Sequence, residues 1–213
     1  MSNKTTTIFK IEKATLGMLF KILYNPKFIN SEYIPNDGPI LVACNHKHLL
    51  DQCMTIMSTK SYLRYLAKKE YFDHKIIAWF FKMNGCIPVD RTKKDPKAKE
   101  AAIETLKEGG AVGLFPEGTR IRSDKDLLGP FKFGAVSMAQ KTDAYIVPCA
   151  ITGKYKFRSN NLVIRYGKPF KVGKMDLEQA NDKLHKELEK LMKKSLKDSN
   201  TRIKEELKTH IKK

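Results

Sequence analysis

The sequence predicts an α/β domain: a central mixed, largely parallel sheet flanked by helices, with an amphipathic helix ahead of it and a long helical segment behind. Three observations lead there. Short apolar runs of strand length alternate with segments of helical period through residues 40–167. Turn-forming residues separate them, and polar clusters recur where apolar runs end, the edge at which α/β sheets hold ligands. At 213 residues, with no repeat or second compositional regime, one domain around one core is expected.

The N-terminal stretch MSNKTTTIFKIEKATLGMLFKILYNPKFI is broken by Lys10, Glu12, Lys13 and Lys21, and no small-residue cleavage site follows it. It falls short of a bilayer span, which takes about 20 mostly apolar residues. Ile8, Ile11, Leu16, Leu19, Phe20 and Leu23 are available to one broad face with lysines outside it, so residues 1–30 read as an amphipathic helix for a membrane interface. Docking of that face on the protein's own core is the alternative reading, and the two are compatible. Residues 31–213 read as the single folded domain.

After the turn Pro35-Asn36-Asp37-Gly38-Pro39, ILVACN at 40–45 is a buried strand, and Asn45 is placed to cap a helix over about 46–59. YLRYLA at 62–67 is strand-like, KIIAWFFKMN at 75–84 an apolar-faced helix, and CIPV at 86–89 a strand. Asp95-Pro96 supplies an N-cap and an N1 proline for a helix through Leu106, which Gly109-Gly110 ends. AVGLF at 111–115 is a buried strand that breaks at Pro116. A helix over 131–141 and strands near 145–152 and 161–167 follow. From Asp176 onward, Leu184, Leu188, Leu191 and Met192, then Ile203, Leu207 and Ile211, mark a long charged helix.

Forty-one Lys and Arg against 23 Asp and Glu give a net charge of +18, so an acidic partner is expected: nucleic acid, anionic lipid or a phosphorylated substrate. No nucleic-acid-binding module is recognisable, and the lysines at 183–213 mix with Glu187, Glu189, Glu205 and Glu206 as on a solvated helix face. A nucleic-acid partner is therefore not expected. Cys44, Cys53, Cys86 and Cys149 are widely spaced, lie in apolar surroundings and form no CxxC pair, which reads as reduced core thiols rather than zinc ligands.

Residues 44–52, CNHKHLLDQ, carry two histidines and an aspartate. A metal reading fails on residue type. In the HxHxDH ligand string of binuclear metallohydrolases, Leu50 would stand in the aspartate's place and Asp51 in the last histidine's, and only His74, His185 and His210 remain elsewhere. A His–Asp pair fits better: the carboxylate fixes the imidazole tautomer and leaves the other nitrogen as general base. Local geometry lets Asp51 reach back to either His46 or His48.

At 113–120, GLFPEGTR runs an apolar strand into a proline, a carboxylate, a glycine, a hydroxyl and a guanidinium. It has the glycine spacing of a Walker A loop but lacks the lysine and carries Pro116 inside, so nucleotide binding is not expected. Arg120 suits a phosphate, which it can meet bidentately, and Gly118 permits close backbone approach. GCIPVDR at 85–91 likewise brings Asp90 and Arg91 to a strand end.

In order, NHKHLLD, GCIPVDR, FPEGTR and IVPCAI resemble the four sequence blocks of the glycerolipid acyltransferase family, most closely its bacterial lysophosphatidic acid acyltransferases. LAKKEYF at 66–72 and PFKFGAVSMAQ at 130–140 resemble that family's intervening segments, so the likeness covers roughly residues 38–170. The resemblance implies the glycerolipid acyltransferase fold, with His46 as catalytic base and Asp51 as its partner. It carries the acceptor site onto Arg91, Glu117, Gly118, Thr119 and Arg120, with Lys68 a further phosphate ligand. His48 stands where the block often has serine, which leaves its role open.

The reaction so implied is acyl transfer from acyl-CoA or acyl carrier protein to the free hydroxyl of lysophosphatidate, giving phosphatidic acid, with no protein nucleophile, cofactor or metal. The absence of a GxSxG elbow agrees. Glycerol-3-phosphate and other lysophospholipids are alternative acceptors, and a non-catalytic basic protein that binds lipid or nucleic acid is the alternative from another class. Glu117 would orient an arginine or bind a glycerol hydroxyl. Ile76, Ile77, Trp79, Phe80 and Phe81 are candidates for an acyl-chain tunnel, with core packing as the alternative. Such an enzyme would sit peripherally on the cytoplasmic face of the cell membrane, its positive charge meeting anionic phospholipid.

Overall fold

The computed structural model describes residues 3–90, 92, 95–121, 127–158 and 161–211, with the side chains of 3–9, 12 and 200–211 excluded. Seven strands form one sheet: β1 (Lys27–Ile29), β2 (Ile40–Cys44), β3 (Leu63–Lys68), β4 (Ile87–Val89), β5 (Ala111–Leu114), β6 (Tyr145–Thr152) and β7 (Val163–Tyr166). Their order is β1-β7-β6-β2-β5-β3-β4. Every pairing is parallel except β6 with β7, so the sheet is mixed and largely parallel, as the alternation of elements predicts. β1 falls inside the N-terminal segment read as helix alone: after α1 (Asn3–Tyr24) ends at left-handed Asn25, residues 27–29 pair with β7.

At the centre of the sheet β2, β5 and β6 are continuous apolar runs, buried on both faces over almost their whole length. On β2, Ile40, Val42 and Cys44 pack into one layer with Phe20 of α1 and Met54 of α2 (Asp51–Ser58), while Leu41 and Ala43 face the opposite layer. That second layer holds Ala98, Ala102 and Leu106 of α4 (Pro96–Lys107), Ala135, Val136 and Ala139 of α5 (Gly134–Thr142), and Leu184 and Leu188 of α6 (Leu177–Ile211). Each fully buried leucine contributes about 1.5–3 kcal/mol, which secures the first half of the long helix.

The connections β2–α2–β3 and β3–α3–β4 step one way along the sheet, and β4–α4–β5 and β5–α5–β6 step back. Right-handed crossovers then place α3 (Lys75–Met83) on the face of α1 and α2, opposite α4 and α5. The carboxyl ends of β2, β3 and β5 are neighbours at the centre of the sheet, and there the polar clusters gather.

Two boundaries differ from expectation. Asn45 caps no helix: its amide Nδ2 donates to the Ile151 carbonyl at 3.0 Å and its Oδ1 accepts from the Ile151 N–H at 2.7 Å. This pins the end of β2 to β6, and α2 starts at Asp51 rather than near residue 46. Similarly, α5 starts at Gly134, the PFKF residues before it lying outside the helix and ending in a turn at Phe133. Asp95 does cap α4, its Oδ1 accepting from Ala98 N, with Pro96 at the first helical position.

Candidate active site

Freed from the helix, residues 45–50 make a loop that closes around Asp51. Asp51 Oδ2 accepts from the Lys47 and His48 N–H groups, both at 2.7 Å, and from the His46 ring, whose Nδ1 lies 3.0 Å away. Oδ1 accepts from the Tyr155 hydroxyl at 2.7 Å. Asp51 is fully buried and His46 nearly so. An ionised carboxylate only accepts, so Nδ1 carries the imidazole proton and Nε2 keeps a lone pair. Burial pushes the Tyr155 hydroxyl well up, with the Asp51 charge and hydrogen bond adding to it, so Tyr155 stays a donor.

The choice left open between the histidines is thereby made: the ring of His46 meets Asp51. His48 contributes only its backbone N–H to that carboxylate. Its ring stacks on Tyr155 at 4.2 Å between centroids, and its Nδ1 accepts from Leu50 N at 3.2 Å.

GLFPEG supplies the second wall. Gly113 lies under Tyr65, where a Cβ would come within 2.4 Å of the tyrosine ring, so only glycine lets β3 and β5 pack this closely. Two residues on, Phe115 stacks on the His46 ring, 3.8 Å between centroids and 8° between planes. Buried Glu117 then anchors backbone: Oε2 accepts from His46 N at 2.7 Å and Oε1 from Gly129 N at 3.2 Å. Burial raises its pKa, and those two N–H groups act in the opposite direction. Ile121 N donates to the His46 carbonyl at 2.8 Å. His46 is thus held at its ring, its ring face, its N–H and its carbonyl.

His46, Phe115 and Gly118 border a cavity of about 1030 Å³ at the carboxyl edge of the sheet. That is ample for a lipid-sized ligand, since small-molecule pockets run from about 300 to 1,000 Å³. Leu66 and Val89 line it from β3 and β4, and Ala135 and Met138 from α5. Two lysines that the sequence reading did not single out enter it, Lys99 and Lys132. Lys132 crosses Gly118, where a Cβ would lie 2.9 Å from its Cε, and the positive φ of Gly118 (70°) turns the chain away beneath it. The Lys132 N–H donates to the Pro116 carbonyl at 2.8 Å. Lys99 Nζ donates to Ser137 Oγ at 3.0 Å.

Of the residues expected to bind the acceptor, Gly118 lines this cavity, and Glu117 is buried behind it with both carboxylate oxygens on backbone N–H groups. Thr119 and Arg120 are exposed and follow Gly118 in the chain without lining the cavity, and Lys68 pairs with Glu70 at 2.9 Å outside it. Arg91 lies outside the described residues; its neighbours Asp90 and Thr92 line the cavity. The tunnel candidates lie away from this cavity. Ile76, Ile77, Trp79 and Phe80 are 84%, 41%, 60% and 41% exposed, and Phe81 stacks on Tyr71. None lines the cavity, because α3 buries only Ala78 and turns its apolar stripe outward.

Among the described residues no three His, Cys, Asp or Glu side chains converge as metal ligands, and no helix is long and apolar enough to cross a membrane. The geometry suits proton removal from a ligand hydroxyl, with cations at hand for an anionic group.

Comparison with known proteins agrees with that chemistry. A family model described as Acyltransferase matches residues 25–152. The chain is 34% identical over 167 residues to the 1-acyl-sn-glycerol-3-phosphate acyltransferase of Bacillus subtilis (strain 168), covering 76% of this chain and 82% of that one. It is 27% identical over 172 residues to the enzyme of the same name from Streptococcus pneumoniae (strain ATCC BAA-255 / R6), covering 78% and 62%. The crystal structure of the 1-acyl-sn-glycerophosphate (LPA) acyltransferase from Thermotoga maritima shares the fold, with a TM-score of 0.76 at 21% identity over 91% of this chain and 83% of that one. The matches over most of the chain show that it belongs to the Acyltransferase family.

Proposed function

We propose that this chain is a 1-acylglycerol-3-phosphate O-acyltransferase, which transfers a fatty acyl group from an acyl thioester to the free hydroxyl of lysophosphatidic acid and so makes phosphatidic acid. One observation carries the reading: His46, oriented through Nδ1 by buried Asp51, borders a lipid-sized cavity that also receives lysines. The names of the relatives supply the acceptor.

Nε2 of His46 takes the proton of the acceptor hydroxyl as its oxygen attacks the thioester carbonyl, and Asp51 stabilises the imidazolium. The tetrahedral intermediate collapses with loss of the thiolate, which the imidazolium protonates. An oxygen–carbon bond replaces a carbon–sulfur bond, and the products are phosphatidic acid and the free thiol of coenzyme A or acyl carrier protein. Lys132 and Lys99 are positioned for the acceptor phosphate, with Arg120 exposed after Gly118 in the chain. Lys68 and Arg91 join them by family likeness.

The N-terminal helix would hold the enzyme peripherally at the cytoplasmic surface of an anionic membrane. Supporting this, α1 buries Gly17 and Phe20 against the domain while Ile11, Met18, Leu19 and Ile22 remain exposed, so one helix can serve both core and interface.

The test is acyl transfer from acyl-CoA and from acyl carrier protein to lysophosphatidate and glycerol-3-phosphate with membrane lipid present. Lysophosphatidate should be preferred. His46→Ala should lose about 10²–10⁴-fold in turnover while its thermal unfolding stays cooperative. A folded His46→Ala protein with undiminished turnover would refute the assigned base.

A further inference from the structure

We propose that the outward face of α3 is a second membrane-docking surface, seated in an anionic lipid interface beside the cavity mouth. The surface argument is independent of the reaction; its purpose rests on the function proposed above. Ile76, Trp79, Phe80 and Met83 recur at helical spacing; Ile76 is the most exposed large apolar side chain described, Trp79 and Phe80 are exposed too, and Met83 is half-buried. A contiguous outward apolar stripe of this kind marks an interaction site in a soluble chain, unlike scattered single residues.

Composition selects the partner. Trp and Phe favour the headgroup boundary, where their rings are half solvated. Lys75 and Lys82, both exposed, flank the stripe on α3. Across residues 68–82 Lys68 is paired with Glu70 and Lys69 with Asp90, which leaves Lys75 and Lys82 to supply the positive charge beside the stripe against Asp73. A cation-rimmed apolar face complements an anionic bilayer, with each lysine near the surface adding attraction.

Placement supports the same partner. The 3-10 turn Lys69–Phe72 and α3 join β3 to β4, and Leu66 of β3 with Val89 and Asp90 at the end of β4 line the cavity. Ile76 sits in the first turn of α3, at the sheet's carboxyl edge with the cavity. Right-handed crossovers also put α3 in the layer of α1, whose own outward residues Ile11, Met18, Leu19 and Ile22 are exposed. Two apolar helix faces on one side of the sheet would meet one planar surface together, presenting the cavity mouth to the lipid that supplies its acceptor.

Trp79 is the sole tryptophan of the chain, so intrinsic fluorescence of the full-length protein reports on α3 alone. Phosphatidylglycerol vesicles should shift its emission to the blue, and lipids brominated along the acyl chain should quench it, with phosphatidylcholine vesicles less effective. Vesicle-bound protein, established by co-sedimentation, whose emission and quenching match those in buffer would overturn the proposal. So would a dimer in buffer that already shields Trp79 from aqueous iodide, since the face would then belong to a second copy.

The double substitution Ile76→Ser with Phe80→Ser should weaken partition onto phosphatidylglycerol vesicles by at least about tenfold. It should slow acylation of vesicle-borne lysophosphatidate while leaving that of a monomeric short-chain acceptor unchanged. Equal loss on both acceptors would mean a structural role and defeat the proposal. If the native protein acylates neither acceptor yet shows the quenching, the docking surface stands and the proposed reaction fails.

Discussion

The loop around Asp51 and the basic margin of the cavity are made of opposite materials. Around the loop the carboxylates and the amide are committed: Asp51 accepts four hydrogen bonds, Glu117 two, and Asn45 exchanges two with Ile151. At the margin Thr119, Arg120 and Lys132 are exposed, and Lys68 is tied only to a surface glutamate. The difference separates two kinds of work. A base must be oriented before the ligand arrives, whereas phosphate ligands can stay hydrated and adjustable until an anion binds.

Asp51→Ala should give the largest response, because it strikes orientation and stability together. It leaves the His46 ring, two backbone N–H groups and the Tyr155 hydroxyl without their acceptor. Each such buried loss costs about 1–3 kcal/mol, and water entering the gap would satisfy some of them. A net loss of about 3 kcal/mol in urea unfolding is expected, with turnover down about 10²–10⁴-fold. A variant as stable as the native chain would show that the loop is not held through Asp51, and the contrast between the two regions would break.

The margin should respond in binding alone. Lys132→Ala removes a charge-assisted contact worth about 1.5–3 kcal/mol, or about 10–100-fold in KM for lysophosphatidate. Stability should change by less than about 0.5 kcal/mol, as for an exposed site. Lys68→Ala, whose amine already has Glu70, should raise KM less. A larger effect at Lys68 would reverse the ranking drawn from the cavity and restore the one drawn from family likeness.

What was legible in the sequence follows from the range of the interactions. Strands β2, β5 and β6 announce themselves as apolar runs because parallel strands are buried on both faces. Asp95-Pro96 works as a cap because its partner, Ala98, is three residues away. Asn45 looked like a cap by the same local rule, but its partner Ile151 is 106 residues distant. A helical stripe such as that of α3 gives the angle of the apolar face but not its direction, so Trp79 and its neighbours could not be placed inside or outside. Edge strand β1 is three residues long and gave no period to detect. His46 was reached through the family pattern, since spacing alone served His48 equally well. Lys132 lay in a quoted segment, PFKFG, but nothing local joins that segment to Gly118.

Tyr155 had no local signal at all, and it is the sharpest probe of how far the rigid region extends. It donates to Asp51 Oδ1, carries the His48 ring, and meets the edges of Phe20 and Tyr24 of α1 at 6.2 and 5.7 Å between centroids. The N-terminal helix therefore touches the side chain that steadies the Asp51 carboxylate. Tyr155→Phe keeps the ring contacts and deletes only the hydroxyl, so stability should fall by about 1–2 kcal/mol. Turnover should drop a few-fold at unchanged KM, since the residue positions Asp51 and does not line the cavity. A His48→Ala control keeps the backbone N–H that Asp51 accepts and should preserve turnover. If Tyr155→Phe instead raised KM and spared kcat, the tyrosine would belong with the adjustable margin, and Asp51 would hold its geometry by backbone alone.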